Sequence, residues 1–403
     1  MHYSVQCSNC QSQFQNGSLR KCPACKGMLE CVYPKESLTV LEKSDKATGM
    51  QCFSNLLPIE GPLYSLGEGG TPLLKSRRLR KKLGISNLYF KDESQNPTGS
   101  FKDREMSIAV TKAREAGANG VIIASSGNAA ASLSAYSAAS SMPCLVLVDK
   151  GVPAAKLMQM IFFGARCIQI ENIFGQGPER LFSTLENLAE QLKLWISIPW
   201  QPINPYSLEG VKTISYELAS LEPDVIICPV SGGDNLAGQW KGWKELFRGK
   251  VIKKLPRMVG VQPSGSAPLV QSYERRERSV RSIDKCGTVA SGLRTTFSGD
   301  HALRAVYESG GAAISVEDSN ILKYQALLAQ QEGIWVEPSS AITLAALPLL
   351  LESRTIKPEE SIVCILTGAG YKDMEVMLRY DKEVPTAILE PKDIIEKIGF
   401  IPK

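Results

Sequence analysis

From about residue 85 the chain alternates short apolar runs with amphipathic stretches of ten or more residues. The runs at 120–124, 143–149, 166–171, 195–198, 224–230, 258–262, 312–317 and 361–367 are rich in Val, Ile and Leu and read as strands. Helical periodicity between most of them predicts an α/β fold with largely parallel sheets. Such sheets bind ligands beyond the carboxyl ends of their strands, so the loops there are the first place to look for chemistry. The stretch 272–285 is dense in charge and lacks apolar periodicity, which predicts a solvated loop or an exposed helix.

Composition narrows the picture. The 403 residues are 43% hydrophobic and 22% charged, as in an ordinary globular protein of several domains. A net charge of +5 over this length gives no reason to expect a nucleic-acid partner. No apolar run approaches the roughly 18 residues of a transmembrane helix. The first residues lack a basic stretch followed by an apolar one, so neither a membrane partner nor a signal peptide is expected. There are two histidines, His2 and His301, which excludes chemistry built on several imidazoles. Proton transfer should then fall to Lys, a carboxylate, Tyr or a cofactor.

Four of the eleven cysteines are clustered: Cys7, Cys10, Cys22 and Cys25, spaced C-x2-C-x11-C-x2-C. Two such pairs can set four thiolates around one structural zinc, in a module of residues 1–35 with little core of its own. Free thiols are the alternative. The other seven cysteines are scattered, several in strand-like runs, as expected of reduced thiols in the cytoplasm.

Four loops carry candidate chemistry. In Asn96-Pro97-Thr98-Gly99-Ser100-Phe101-Lys102-Asp103-Arg104, Ser100 can cap a helix running to about Ala116, which puts Lys102 in the first turn. The dipole there should lower the lysine pKa and favour Schiff-base chemistry. Ser125-Ser126-Gly127-Asn128 follows a strand and opens an Ala-rich helix, a suitable anion site. Ser231-Gly232-Gly233-Asp234-Asn235-Leu236 is a glycine-rich strand-to-helix turn suited to a phosphate. Thr367-Gly368-Ala369-Gly370-Tyr371-Lys372-Asp373 follows the last strand.

The lysine segment resembles that of threonine synthases, members of the fold type II PLP (pyridoxal 5′-phosphate) enzymes that include threonine dehydratase and the tryptophan synthase β chain. Glu68-Gly69-Gly70-Thr71-Pro72-Leu73 and Glu337-Pro338-Ser339-Ser340-Ala341 resemble further family turns, in family order. The four-cysteine module looks like the zinc-ribbon head of some threonine synthases. The resemblance covers about residues 5–375. It implies that Lys102 carries PLP as a Schiff base and acts as base at Cα. It implies that Asn128 and Thr367 contact the cofactor ring, and that Gly232, Gly233, Asn235 and Leu236 hold its phosphate. It gives Ser125, Ser126, Gly127 and Asn128 the substrate carboxylate, and Cys7, Cys10, Cys22 and Cys25 a zinc.

Three positions depart from the family pattern. Glu105 stands where glycine is usual, Ala369 where histidine is usual, and Asp234 lies in the phosphate loop, where its carboxylate should turn away. Joined to the periodicity, the resemblance predicts two parallel-sheet α/β domains with PLP between them. The small domain should span 106–212 and the large one 50–105 plus 213–385, with a tail over 386–403 and a homodimeric assembly. The implied reaction turns O-phosphohomoserine and water into threonine and phosphate. Lys91, Arg104, Arg294 and Lys372 are candidate partners for the leaving phosphate. Two alternatives stand beside it: β-replacement or β-elimination on an activated serine-type amino acid, and a non-catalytic PLP-binding regulator.

Overall fold

A computed structural model describes residues 2–15, 17–39, 48–150, 152, 154–173 and 178–377, together with 390, 392 and 397. The tail expected over 386–403 lies, but for those three, outside the described residues. Short strands β1 (Ser4–Cys7), β2 (Gln13–Phe14) and β3 (Leu29–Val32) pair antiparallel in the order β2-β1-β3. Next come β4 (Leu73–Lys75) and β5 (Asn87–Asp92). Four strands follow: β6 (Gly120–Ala124), β7 (Cys144–Asp149), β8 (Arg166–Ile170) and β9 (Leu194–Ile196). They form an all-parallel sheet in the order β8-β7-β6-β9. The last four are β10 (Val225–Pro229), β11 (Arg257–Pro263), β12 (Ala312–Val316) and β13 (Ser361–Leu366). They join β4 and β5 in a sheet ordered β12-β11-β10-β13-β5-β4, parallel except for the edge strand β4.

The central strands are buried on both faces, which is why they read as continuous apolar runs rather than alternating ones. Ile226, Cys228, Val363 and Ile365 point into one core, and Val225, Ile227, Ile362 and Cys364 into a second on the opposite face. No helix among the described residues is long and apolar enough to cross a membrane.

The N-terminal module is not left to the little core of its own that its length suggests. Tyr3, Val5, Leu29, Cys31 and Tyr33 are buried in the same core as the main body. Lys241 donates to the Cys31 carbonyl at 2.6 Å, Tyr33 to Glu209 at 2.8 Å and Tyr206 to the Leu19 carbonyl at 2.8 Å. The module borrows a core that its own few residues cannot supply.

Candidate active site

All four loops follow the carboxyl ends of parallel strands, where open α/β sheets present ligand-binding groups. The lysine loop comes after β5, the Ser125 loop after β6, the Ser231 loop after β10 and the Thr367 loop after β13.

Lys102 opens the helix Lys102–Glu115. Its loop is sewn to the Thr367 loop: Phe101 N donates to Thr367 O at 3.0 Å, Ala369 N to Gly99 O at 2.9 Å, and Ser100 bridges Gly368. Gly99 has φ +81°, a conformation that calls for glycine, and lies close beneath the Tyr371 hydroxyl. Ser100 does not cap the helix. The bridge to Gly368 commits its backbone, its hydroxyl has no partner among the described residues, and the cap position falls to Phe101. Asp103 instead ties the loop to the helix by accepting from Thr98 N at 2.7 Å and the Thr98 hydroxyl at 2.6 Å.

Lys102 Nζ lies 2.6 Å from Glu105 Oε2 and 4.4 Å from the centre of the Phe101 ring. Burial pushes the Glu105 carboxyl up to about 7, with Lys102 pulling the other way and Asp234 adding to the rise.

The helix Asn128–Ala139 carries Asn128 at its first position. Asn128 Nδ2 donates to Glu337 Oε2 at 3.0 Å, while its Oδ1 is buried without a partner among the described residues. Ser125 Oγ accepts from Gly127 N at 3.2 Å, and Ser126 Oγ from Asp149 N at 3.0 Å. A Cβ on Gly127 would meet nothing within 4 Å, so the loop faces open space. Thr367 Oγ1 lies 3.0 Å from Ser340 Oγ. Glu337, buried between Asn128 and Gly368, links the Asn128 and Thr367 loops, and burial raises its pKa although Lys156 opposes this.

The Ser231 loop enters the helix Asp234–Arg248 through Gly233, at φ +109°, where a Cβ would strike Ala302 Cβ at 2.5 Å. Among the described residues nothing accepts from the backbone N–H groups of residues 232–236. Asn235 Nδ2 is likewise unpartnered, and a Cβ on Gly232 would touch Trp200 alone. Free N–H groups at the start of a 15-residue helix form an anion cradle.

Asp234 does turn away. Its Oδ1 accepts from Gln201 N at 3.1 Å and from His301 at 2.8 Å, its Oδ2 from Ser207 at 2.5 Å. Burial opposes its charge, but these donors prevail and hold it below the usual carboxylate range.

The residues thus fit PLP: an amine at a helix start, a cradle of unpaired N–H groups at another, and orphaned polar atoms on Asn128 and Asn235. Two of the four cations read as leaving-group partners are spent elsewhere. Lys91 and Arg104 are buried against Glu93 and Glu217, with Lys91 2.6 Å from Glu217 and Arg104 2.7 Å from Glu93. Arg294 donates to the Thr288 carbonyl at 3.1 Å, and Lys372 to the Thr98 carbonyl at 2.7 Å.

The cation that sequence reasoning missed is Lys156, on the helix Ala154–Phe162. It reaches Ser291 Oγ at 2.7 Å and lies 3.9 Å from Asp373. Its place just beyond the carboxyl end of β7 was the available signal. At the other end of the chain, Cys7, Cys10, Cys22 and Cys25 bring their sulfurs within 4.8 Å of one another.

Comparison with known proteins agrees with this geometry. A profile of the family described as pyridoxal-phosphate dependent enzyme matches residues 64–368. The threonine synthase of Methanocaldococcus jannaschii is 38% identical over 97% of this chain and 98% of its own length. That of Halalkalibacterium halodurans is 37% identical over 80% of this chain and 89% of its own. Among solved structures, maize serine racemase superposes with a TM-score of 0.65 at 26% identity, covering 77% of this chain and 93% of that one. The chain belongs to the PLP-dependent enzymes of fold type II and, within them, is threonine synthase-like, with PLP as its cofactor.

Proposed function

We propose that this protein is a PLP-dependent lyase that converts O-phosphohomoserine and water into threonine and phosphate. The observation that carries the reading is the cradle of unpaired N–H groups at 232–236 after β10, in a chain that also puts the Lys102 amine after β5 and Asn128, with its orphaned Oδ1, after β6. PLP, when bound, supplies an electron sink for negative charge developing next to the substrate nitrogen. Lys102 would hold it covalently, and the cradle from Gly232 to Leu236 would hold its phosphate. Asn128 and Thr367 would fix its ring.

The chain's own residues do the rest. Ser125, Ser126 and Gly127 bind the substrate carboxylate at the helix start. The Lys102 amine takes the Cα proton. Lys156 offers its ammonium to the leaving phosphate, held in place by Ser291 Oγ, which accepts from it and donates its own proton to Asp373 at 2.6 Å. The test is phosphate release from O-phosphohomoserine by PLP-loaded protein, with threonine identified as product. No phosphate and no threonine would overturn the reading. Lys156→Met is expected to raise KM for this substrate roughly thirtyfold, the loss of about 2 kcal/mol of charge-assisted hydrogen bonding. An unchanged KM would remove Lys156 from the substrate site.

One observation favours a second reading. Ala369 is buried, bridged to Val336, and offers no polar side chain where the family resemblance expects histidine. β-Replacement on an activated serine would not need that group. Turnover of O-phosphoserine or O-acetylserine, without release from O-phosphohomoserine, would establish this reading.

The four-cysteine cluster is read as a structural zinc site. Tetrahedral Zn–S bonds of about 2.3 Å set sulfurs about 3.8 Å apart, and Cys7–Cys25 and Cys10–Cys22 stand at 3.5 and 3.6 Å. Elemental analysis should find roughly one zinc per chain. Cys22→Ser should release it and lower the melting temperature by several degrees, because the module shares the main core. Metal-free wild-type protein with an unchanged melting temperature would refute the site. The two larger sheets support a division into a small domain over 106–212 and a large one over 50–105 plus 213–385. A homodimer in the cytoplasm completes the reading that the resemblance carries.

A further inference from the structure

Glu105, in the place of the family's usual glycine, is one turn along from Lys102 on the same helix, so their side chains meet. Oε2 lies 2.6 Å from Nζ, and the carboxyl is wholly buried while the lysine side chain keeps 19% of its exposure. Neither Glu105 oxygen has an aligned hydrogen-bond donor among the described residues. A buried carboxylate whose one partner is the Lys102 ammonium is costly to keep as an ion, so the group favours holding a proton or sharing the one on Lys102.

The surroundings leave Lys102 as its one proton partner. Asp234, at the start of the helix Asp234–Arg248, repels it, but its oxygens are committed to Gln201, Ser207 and His301. The helix Asn128–Ala139 carries no acidic or basic side chain. The helix Ser207–Val211 approaches through Gly210, where a Cβ would lie 3.2 Å from Glu105 N, and turns Glu209 to Lys212 and Lys241.

We propose that Glu105 is a catalytic proton acceptor for the Lys102 amine. The N–H bond of the ammonium breaks, an O–H bond forms at Oε2, and a neutral amine with its lone pair is left beside a neutral carboxylic acid. The neutral amine can attack the aldehyde carbon of PLP, whereas the ammonium cannot. The transfer moves charge without leaving an ion in the buried pocket. The proposal rests on Lys102 being the lysine that binds PLP.

The test is the rate at which PLP-free protein takes up PLP, followed by absorbance across the pH range, for wild type, Glu105→Gln and Glu105→Asp. Gln matches Glu in volume and buries no charge, so the fold should persist, and circular dichroism checks that it does. At neutral pH uptake by Glu105→Gln should be about a hundredfold slower. Its rate should keep rising with pH toward the range where an ordinary lysine loses its proton. Glu105→Asp should recover part of the loss. Uptake by Glu105→Gln with the wild-type rate and pH profile would overturn the proposal. Borohydride trapping and peptide mapping separate the two levels. A wild-type protein that traps PLP elsewhere than on Lys102 overturns the cofactor assignment, and the proposal with it. Trapping on Lys102 with no effect of Glu105→Gln overturns the proposal alone.

Discussion

Lys102→Ala is expected to cut phosphate release from O-phosphohomoserine by about 10⁴-fold or more, since covalent attachment and the base at Cα are both lost. The fold should survive. Lys102 is partly exposed, and the Glu105 carboxyl it leaves behind already sits at about 7, so it can take a proton rather than remain a buried ion. PLP held by the phosphate cradle alone should leave on dialysis. Melting curves alongside initial rates check both halves. Residual turnover within tenfold of wild type would remove Lys102 from the centre of the reaction.

Arg104→Met should have the largest effect on stability. Arg104 is fully buried and bidentate on Glu93, at 2.7 and 2.8 Å, and reaches Glu217 at 2.6 and 2.9 Å. Burial alone would raise both carboxyls. Arg104 outweighs it and holds both below the usual range, Glu217 at about 2. Removing one partner of such a cluster costs about 3–5 kcal/mol, because uncompensated charge stays buried.

The sign with pH follows from these shifts. In the wild type the depressed carboxyls contribute stability that is present above about 4.5 and lost as pH falls toward 2. In the variant the same carboxyls, short of their cation, favour the neutral form, so the variant loses stability as pH rises past 4.5. Urea unfolding should therefore find a wide gap at neutral pH and a narrower one in acid. A gap that does not depend on pH would mean that Arg104 acts by packing alone.

The strands were legible because burial on both faces writes itself into sequence as a run of Val, Ile and Leu. Each of the eight runs holds a strand, with ends shifted by a residue or two. The loops were legible because helix starts and tight turns demand particular residues, as at Gly233 and Gly99. What could not be read was which cation meets which anion. Lys91 and Arg104 looked as available as Arg294 and Lys372, yet their partner Glu217 lies more than a hundred residues away and the periodicity carries no trace of it. The edge strand β4, Leu73-Leu74-Lys75, is exposed and three residues long, and β5 sets Leu88 and Phe90 among polar residues, so neither reads as a run of Val, Ile and Leu. Ser100 misled for a similar reason: a capping residue and a bridging residue look alike until the Thr367 loop is set beside it.

The stitching of Phe101 to Thr367 and of Gly99 to Ala369 has a consequence for the order of events during synthesis. Some 265 residues separate the two loops, and β13, which precedes the second, sits between β5 and β10 at the middle of its sheet. A growing chain that has already released the lysine segment still lacks the strand that completes the sheet and the loop that anchors Phe101. Contacts so distant in sequence form late. The nascent chain should therefore be unable to capture its cofactor until residues near 370 have left the ribosome, and chains cut short before that point should emerge without it.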